Sequence, residues 1–179
     1  MSEFYRMKIA GLERDLEKFP VSDKLDIAAF IIFGDVELTI AGCAELLKKA
    51  PDFDVILTPE AKSIPIAYEM SRQSGKPYIV ARKGKKVYMR NPLDVKVNSI
   101  TTQHEQHLIL GQTEVDLIKG KKVLIVDDVI STGESLSAIR ELVKAAGAIE
   151  AASCAFLAEG DAADRKDIIF LEKLPLFFK

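Results

Sequence analysis

Two aspartates side by side at the end of an apolar run are the residues in this chain best suited to chemistry. The segment Val123–Ser135 reads VLIVDDVISTGES. Its first four residues are uninterrupted aliphatics, the pattern of a strand buried on both faces. Asp127 and Asp128 follow at once. Ser131, Thr132 and Gly133 then make a short turn, and a helix is expected from Glu134. A helix start offers unpaired N–H groups and partial positive charge. Gly133 lets backbone come close to a ligand, and Ser131, Thr132 and Ser135 add hydroxyl donors, so the turn can hold a phosphate monoester without a lysine. The two acids repel phosphate. They suit vicinal hydroxyls, or Mg²⁺ held through water. A phosphate cup about a sugar's length from paired carboxylates describes a ribose 5-phosphate site. Simple helix capping would leave the doubled acid without a reason.

If a pyrophosphate is bound as well, a second anion site is required. Thr58–Ser63 (TPEAKS) follows an expected strand over Phe53–Leu57 and precedes an expected helix over Ile64–Ser74. It offers amides at a helix start together with Lys62. The basic run Arg82–Lys86 (RKGKK) follows an expected strand over Tyr78–Ala81, after Gly75 and Pro77 stop the helix. This strand–helix–strand unit implies a parallel pair joined by a crossover. The three loops then share the carboxyl edge of one sheet, where ligands bind in open α/β folds.

Further elements complete that sheet. An apolar run over Asp26–Phe33 has strand length, and Asp35 is placed to cap a helix through about Ala50. Helix Glu134–Ala146 stops at Gly147, and strands are expected over Glu150–Leu157 and Ile168–Leu171. The first twenty residues mix charge with short apolar patches and define no element. Val87–Leu110 reads as a long hairpin-like excursion with its tip near Asn91–Asp94. In sum, the pattern predicts an α/β fold: a single domain over residues 1–179, with a mainly parallel twisted sheet flanked by helices.

Composition narrows the function classes. The 25 Lys and Arg against 27 Asp and Glu leave a net charge of −2, which exerts no global pull toward nucleic acid or membrane. The two cysteines, Cys43 and Cys154, are too few and too far apart for a disulfide framework or a paired-cysteine metal site. No apolar run reaches the roughly 18–20 residues of a membrane helix. The N-terminal residues are too charged for a signal peptide, so a cytoplasmic location is expected. His104 and His107 lack neighbouring ligands and read as loop-surface residues.

VLIVDDVISTGES resembles the thirteen-residue phosphoribosyl pyrophosphate signature of the type I phosphoribosyltransferases. DFDVILTPEAKSIPIAYEMSRQSGKPYIVARK is similar to the pyrophosphate-loop region of the adenine phosphoribosyltransferases, with Glu60, Ala61, Lys62 and Ser63 at the loop and Lys62 where that family usually has arginine. FIIFGDVELTI resembles the family's hood segment, with Gly34 replacing its arginine. The resemblance spans about Asp26 to Glu159. It implies the family's fold, with a small hood over about 1–34 and a flexible hairpin loop. It implies that Lys62, Arg82 and Lys83 meet the pyrophosphate, that backbone near Val80, Ala81 and Arg82 reads the purine edge, and that Ile32 and Phe33 stack on the base. Ser131, Thr132, Gly133, Glu134 and Ser135 would hold the 5-phosphate, and Asp127 and Asp128 the ribose and, through water, Mg²⁺. The partners implied are phosphoribosyl pyrophosphate, a purine base and a second copy in a homodimer. Adenine is the first choice of base, with xanthine or hypoxanthine/guanine as alternatives, because Gln103 stands where adenine enzymes carry a loop glutamate and Glu105 is a weak substitute. A non-catalytic module that senses phosphoribosyl pyrophosphate is the other alternative. It draws on that missing glutamate and on Glu134, where the family often has glycine.

Overall fold

A computed structural model describes residues 3–97 and 106–179. The charge-rich start of the chain is a hairpin of β1 (Phe4–Ile9) and β2 (Leu12–Ser22), paired antiparallel with Ile9 opposite Leu12. Its two-residue link, Ala10-Gly11, takes positive φ at both positions, 49° and 85°. That is what a type I′ turn demands, and glycine meets it without strain. Met7 and Ile9 face inward while Arg6 and Lys8 face water. β3 (Leu25–Ala28) pairs with β2. The strand expected over Asp26–Phe33 therefore ends at Ala28, because Phe30 and Ile32 leave the sheet and are buried in the core.

The helix expected after Gly34 is α1 (Val36–Lys49), capped by Asp35, whose side chain accepts from Leu38 N at 3.1 Å. Arg14 of β2 grips the same carboxylate through Nε and Nη2, at 2.6 and 3.0 Å. This part-buried fork ties the N-terminal sheet to the helix and holds the Asp35 carboxyl below its usual range. The crossover unit forms as expected from β4 (Val55–Pro59), α2 (Ile64–Ser74) and β5 (Tyr78–Ala81), with Gly75 closing α2 in the left-handed conformation.

Next come β6 (Leu93–Val97) and β7 (Gln106–Leu110), an antiparallel pair with Leu93 opposite Leu110 and Val97 opposite Gln106. That register corrects the expected tip. Asn91–Asp94 lies at the base of the hairpin, and the link falls within 98–105. Ser99, Thr101, Gln103, His104 and Glu105 lie outside the described residues. The hairpin is anchored to the end of β5 by two backbone bonds between Arg82 and Ile109, at 2.9 and 2.8 Å.

The rest of the chain is α3 (Gln112–Ile118), β8 (Lys122–Ile130), α4 (Glu134–Ala145), β9 (Ile149–Glu159), a 3-10 turn over Gly160–Asp164, β10 (Ile169–Leu174) and β11 (Phe177–Phe178). β8 runs through both aspartates rather than stopping at Val126, because β9 is long enough to pair Asp127 with Ala155 and Ile130 with Ala158. Five strands form a parallel sheet in the order β10-β9-β8-β4-β5. The four strands β1-β2-β3-β11 form a second sheet, so the C-terminal tail folds back onto the hood. One face of the parallel sheet packs with α1, α2 and the small sheet around Leu38, Leu46 and Phe156. The other packs with α4 and the hairpin around Ile125, Ile139 and Leu110.

The tightest seam in this core is Gly42 of α1 against Phe156 of β9. A Cβ at Gly42 would overlap the Phe156 ring, which is fully buried and stacked near Phe30. Alanine favours a helix by about 1 kcal/mol over glycine, whereas overpacking costs about 1–3 kcal/mol. Because the ring has nowhere to move, overpacking is expected to win. With the helix gain subtracted the net cost is about 1 kcal/mol, so Gly42→Ala should lower the melting temperature by roughly 2–4 °C, at about 2–4 °C per kcal/mol for a chain of this size. Differential scanning calorimetry checks this; an unchanged or raised midpoint would show that the seam has slack.

Candidate active site

The carboxyl ends of β4, β5, β8 and β9 lie along one edge of the parallel sheet, and the loops that follow them carry nearly every residue singled out above. β8 delivers the acids. Asp127 Oδ1 accepts from the Asp128 amide at 2.9 Å. Asp128 is buried, at 4% exposure, and Lys62 Nζ stands 2.7 Å from its Oδ2. Lys62 is thus the ion-pair partner of that oxygen. Burial first, and then the neighbouring charge of Asp128, push the Asp127 carboxyl well above the usual carboxylate range. The pair thus holds a proton readily and sits opposite a single cation.

The loop after β4 is locked to β8 by hydroxyls. Thr58 donates to the Val126 carbonyl at 2.8 Å, and Thr58 and Ser63 place their hydroxyl oxygens 2.7 Å apart. The Ser63 hydroxyl also lies 3.2 Å from the Pro59 carbonyl, so its side chain is committed inward in a buried position. The Glu60-Ala61 peptide is cis. Glu60 accepts from the Lys83 amide at 3.0 Å and faces Arg82 Nε at 3.5 Å. A cavity of about 350 Å³ lies between these loops, lined by Glu60, Ala61, Lys62, Ser63, Lys83, Asp127, Asp128 and Ser135.

His107, read from sequence as a surface residue, lines the same cavity from β7, with its Nδ1 2.7 Å from Asp94 Oδ1. Only the hairpin register brings it there, and no local motif announces it. Arg82 is turned toward Glu60 and does not line the cavity; its Nε is buried without a hydrogen-bond partner. The backbone at the end of β5 is occupied, since Ala81 O accepts from Glu60 N at 2.9 Å and Arg82 exchanges both its bonds with Ile109. Val80 pairs with Thr58 in the sheet. Ile32 is buried beside α1 and lines a separate groove, while Phe33 is exposed.

The phosphate-type turn has the expected form. Gly133 takes φ 84° and precedes α4 without capping it by a side chain, and Thr132 Oγ1 accepts from the Glu134 amide at a long 3.5 Å. The first amides of α4 are therefore open to an anion. Ser131 faces a second cavity, next to the hood, that shares Lys62 and Val129 with the first. A Cβ on Gly133 would collide with Arg165 Nη1. Arg165 follows β9 and is held by Asp167 through two bonds of 2.9 and 2.7 Å; no local motif announces its position.

Among the described residues no three His, Cys, Asp or Glu side chains form a metal cage. The buried Asp128 carboxyl beside Asp127 offers the oxygen ligands that fit a hard cation held through water and shared with substrate phosphates. Cys43 and Cys154 are buried, and burial raises both thiols, so neither is a nucleophile.

The family model described as phosphoribosyl transferase domain matches residues 34–175. A hypoxanthine/guanine phosphoribosyltransferase of Methanocella arvoryzae is 35% identical over 129 residues, which are 72% of this chain and 61% of that protein's length. An adenine phosphoribosyltransferase of Petrotoga mobilis is 34% identical over 149 residues, covering 79% of this chain and 82% of that one. In structure, the chain is similar to an adenine phosphoribosyltransferase from Thermoanaerobacter pseudethanolicus, with a TM-score of 0.71, 22% identity and coverage of 88% and 95% of the two chains. That last likeness speaks for the fold alone. The family model spans residues 34–175, which hold the motif, the loops and the sheet edge, and the chain belongs to the phosphoribosyl transferase domain family.

Proposed function

We propose that this chain joins a purine, adenine before the others, to phosphoribosyl pyrophosphate, giving the nucleoside monophosphate and pyrophosphate. One observation carries the reading: Asp127 and Asp128 at the end of β8 face, across a single cavity, the loop that holds Lys62. A purine ring nitrogen attacks C1 of the ribose, the bond from C1 to the pyrophosphate oxygen breaks, and its electron pair leaves with the pyrophosphate. The proton on the attacking nitrogen passes to water.

Each part of the cavity has a task in that step. Asp127 and Asp128 accept from the ribose hydroxyls and stabilise positive charge growing on the ring. The amides and hydroxyls of residues 131–135 anchor the 5-phosphate, so binding energy is used to orient C1. Lys62 and Lys83 face the leaving group, and Arg82 lies behind Glu60 with a free Nε to turn toward it. Mg²⁺ bound near the two aspartates would supply neutralising charge for the pyrophosphate. The adenine choice rests on relatives such as that of Petrotoga mobilis, while the Methanocella relative keeps 6-oxopurines as the alternative.

We place a homodimer contact on the apolar groove of about 440 Å³ lined by Ile32, Val36, Ile40 and Tyr68, next to the exposed Phe33. No described helix is long and apolar enough to cross a membrane; a cytoplasmic location, with no nucleic-acid or membrane partner, fits the balanced charge. Glu134 at the first position of α4 favours the sensing module as the second reading, because it brings an acid to the phosphate turn.

Labelled adenine, hypoxanthine, guanine and xanthine, each incubated with phosphoribosyl pyrophosphate and Mg²⁺, test the proposal. Adenine is expected to give the most nucleotide. Tight binding of phosphoribosyl pyrophosphate with no nucleotide from any base would favour the sensor instead.

A second test uses the buried acid pair. Asp127 binds its proton more tightly when folded than when unfolded, so its contribution favours folding at low pH and is lost as pH rises above the ordinary carboxylate range. Asp127→Asn should therefore melt higher than the parent at neutral pH, with the gap closing toward about pH 4, the usual aspartate pKa. The same change should cut turnover by on the order of 10²–10³-fold. Unchanged turnover would remove Asp127 from the ribose site.

A further inference from the structure

β9 ends at Glu159, one strand over from the acids of β8, and Gly160 turns the chain away at φ 56°. Glu159 lines a cavity of about 260 Å³ between the hood and the parallel sheet, walled by Phe30 and Ile31 on the hood side and by Val129 on the other. Lys62 and Val129 also line the acid cavity, so the two spaces adjoin. Apolar walls on both sides suit a flat ring. Lys62 and Glu159 are the charged groups in this lining, and Lys62 is drawn to Asp128 at 2.7 Å. Among the described residues Glu159 has no hydrogen-bond or ion-pair partner. The other groups expected to read a base edge, the backbone of Ala81 and Arg82, are already bonded to Glu60 and Ile109.

We propose that Glu159 is a specificity residue: its carboxyl accepts a hydrogen bond from the exocyclic amino group of a purine held between the hood and Val129. An amino group meets an acceptor there whether the carboxyl is ionised or not. An exocyclic carbonyl oxygen meets a donor only when Glu159 is protonated, which makes a 6-aminopurine the preferred ring. Half-burial raises this carboxyl, opposed by Lys62, and lessens the cost of covering it with a base. The inference rests on the phosphoribosyl reading above.

Calorimetric binding of AMP and of ribose 5-phosphate to the full chain separates the two. The ratio of the two affinities isolates what the base adds. Glu159→Leu should lower that ratio about tenfold or more, as expected when a buried hydrogen bond is removed, and leave ribose 5-phosphate binding unchanged. Glu159→Gln, which keeps an acceptor oxygen in place, should retain most of the ratio. An unchanged ratio in Glu159→Leu overturns the inference, as does equal loss of both ligands, which marks a purely structural role. Wild-type chain that binds ribose 5-phosphate but gains nothing from the base also overturns it. Wild-type chain that binds neither ligand overturns the phosphoribosyl reading along with it.

Discussion

Two like charges forced together at the end of a buried strand are the constraint around which this molecule is built. Adjacent carboxylates in a site of low dielectric cannot both ionise cheaply, and one lysine at 2.7 Å relieves only part of the repulsion. A fold selected for stability alone would place apolar residues there. The strain is tolerated because a bound ligand resolves it: sugar hydroxyls donate to the acids, and a cation carried with the substrate adds positive charge. Lys62 against the Asp128 oxygen and Glu60 at 3.5 Å from the buried Arg82 nitrogen, which makes no hydrogen bond, stand on opposite sides of the loop. The site is organised for a charged guest, and its internal pairing is incomplete without one.

Holding such a pair requires a rigid surround. The parallel sheet fixes both acids by pairing β8 with β9 beyond the point where the apolar run ends. Thr58 ties the lysine-bearing loop to the same strand through the Val126 carbonyl. On the far side, Arg140 and Arg165 converge on Asp167, which their charges hold below the usual carboxylate range, and this sets Arg165 against Gly133. The Arg14–Asp35 fork fastens the hood sheet to the helix that packs on the core. The Thr58 tie is buried and the Arg14–Asp35 fork part-buried, where a polar or charge-assisted bond is stronger than at the surface, whereas the bonds to Asp167 are exposed.

Much of this was legible in the residues because the signals were local. Asp35 caps α1, Gly75 stops α2, and the aliphatic run into Asp127 marks β8. The features that escaped are non-local. β1 and β2 mix charges with exposed Phe4, Phe19 and Val21 on their outer positions and turn on Ala-Gly, so their alternation does not show in the residue types. β11 is two residues that pair with β3, far away in the chain, while Phe177 packs on Tyr5 and Lys18 of the hairpin. The hairpin tip was misplaced because a register is set by pairing between strands, and the same register carries His107 into the cavity. Residue identity pointed to the loops, whereas packing decided direction: Ser63 turns inward, Ile32 enters the core, and Arg82 leans on Glu60.

A crystal structure of the chain soaked with ribose 5-phosphate bears most directly on the acid pair and its turn. The phosphate should lie against the first amides of α4 with Thr132 and Ser135 around it, and the 2- and 3-hydroxyls should fall within hydrogen-bond reach of Asp127 and Asp128. A ligand seated elsewhere, or a turn left empty while both acids keep only their protein partners, would contradict it.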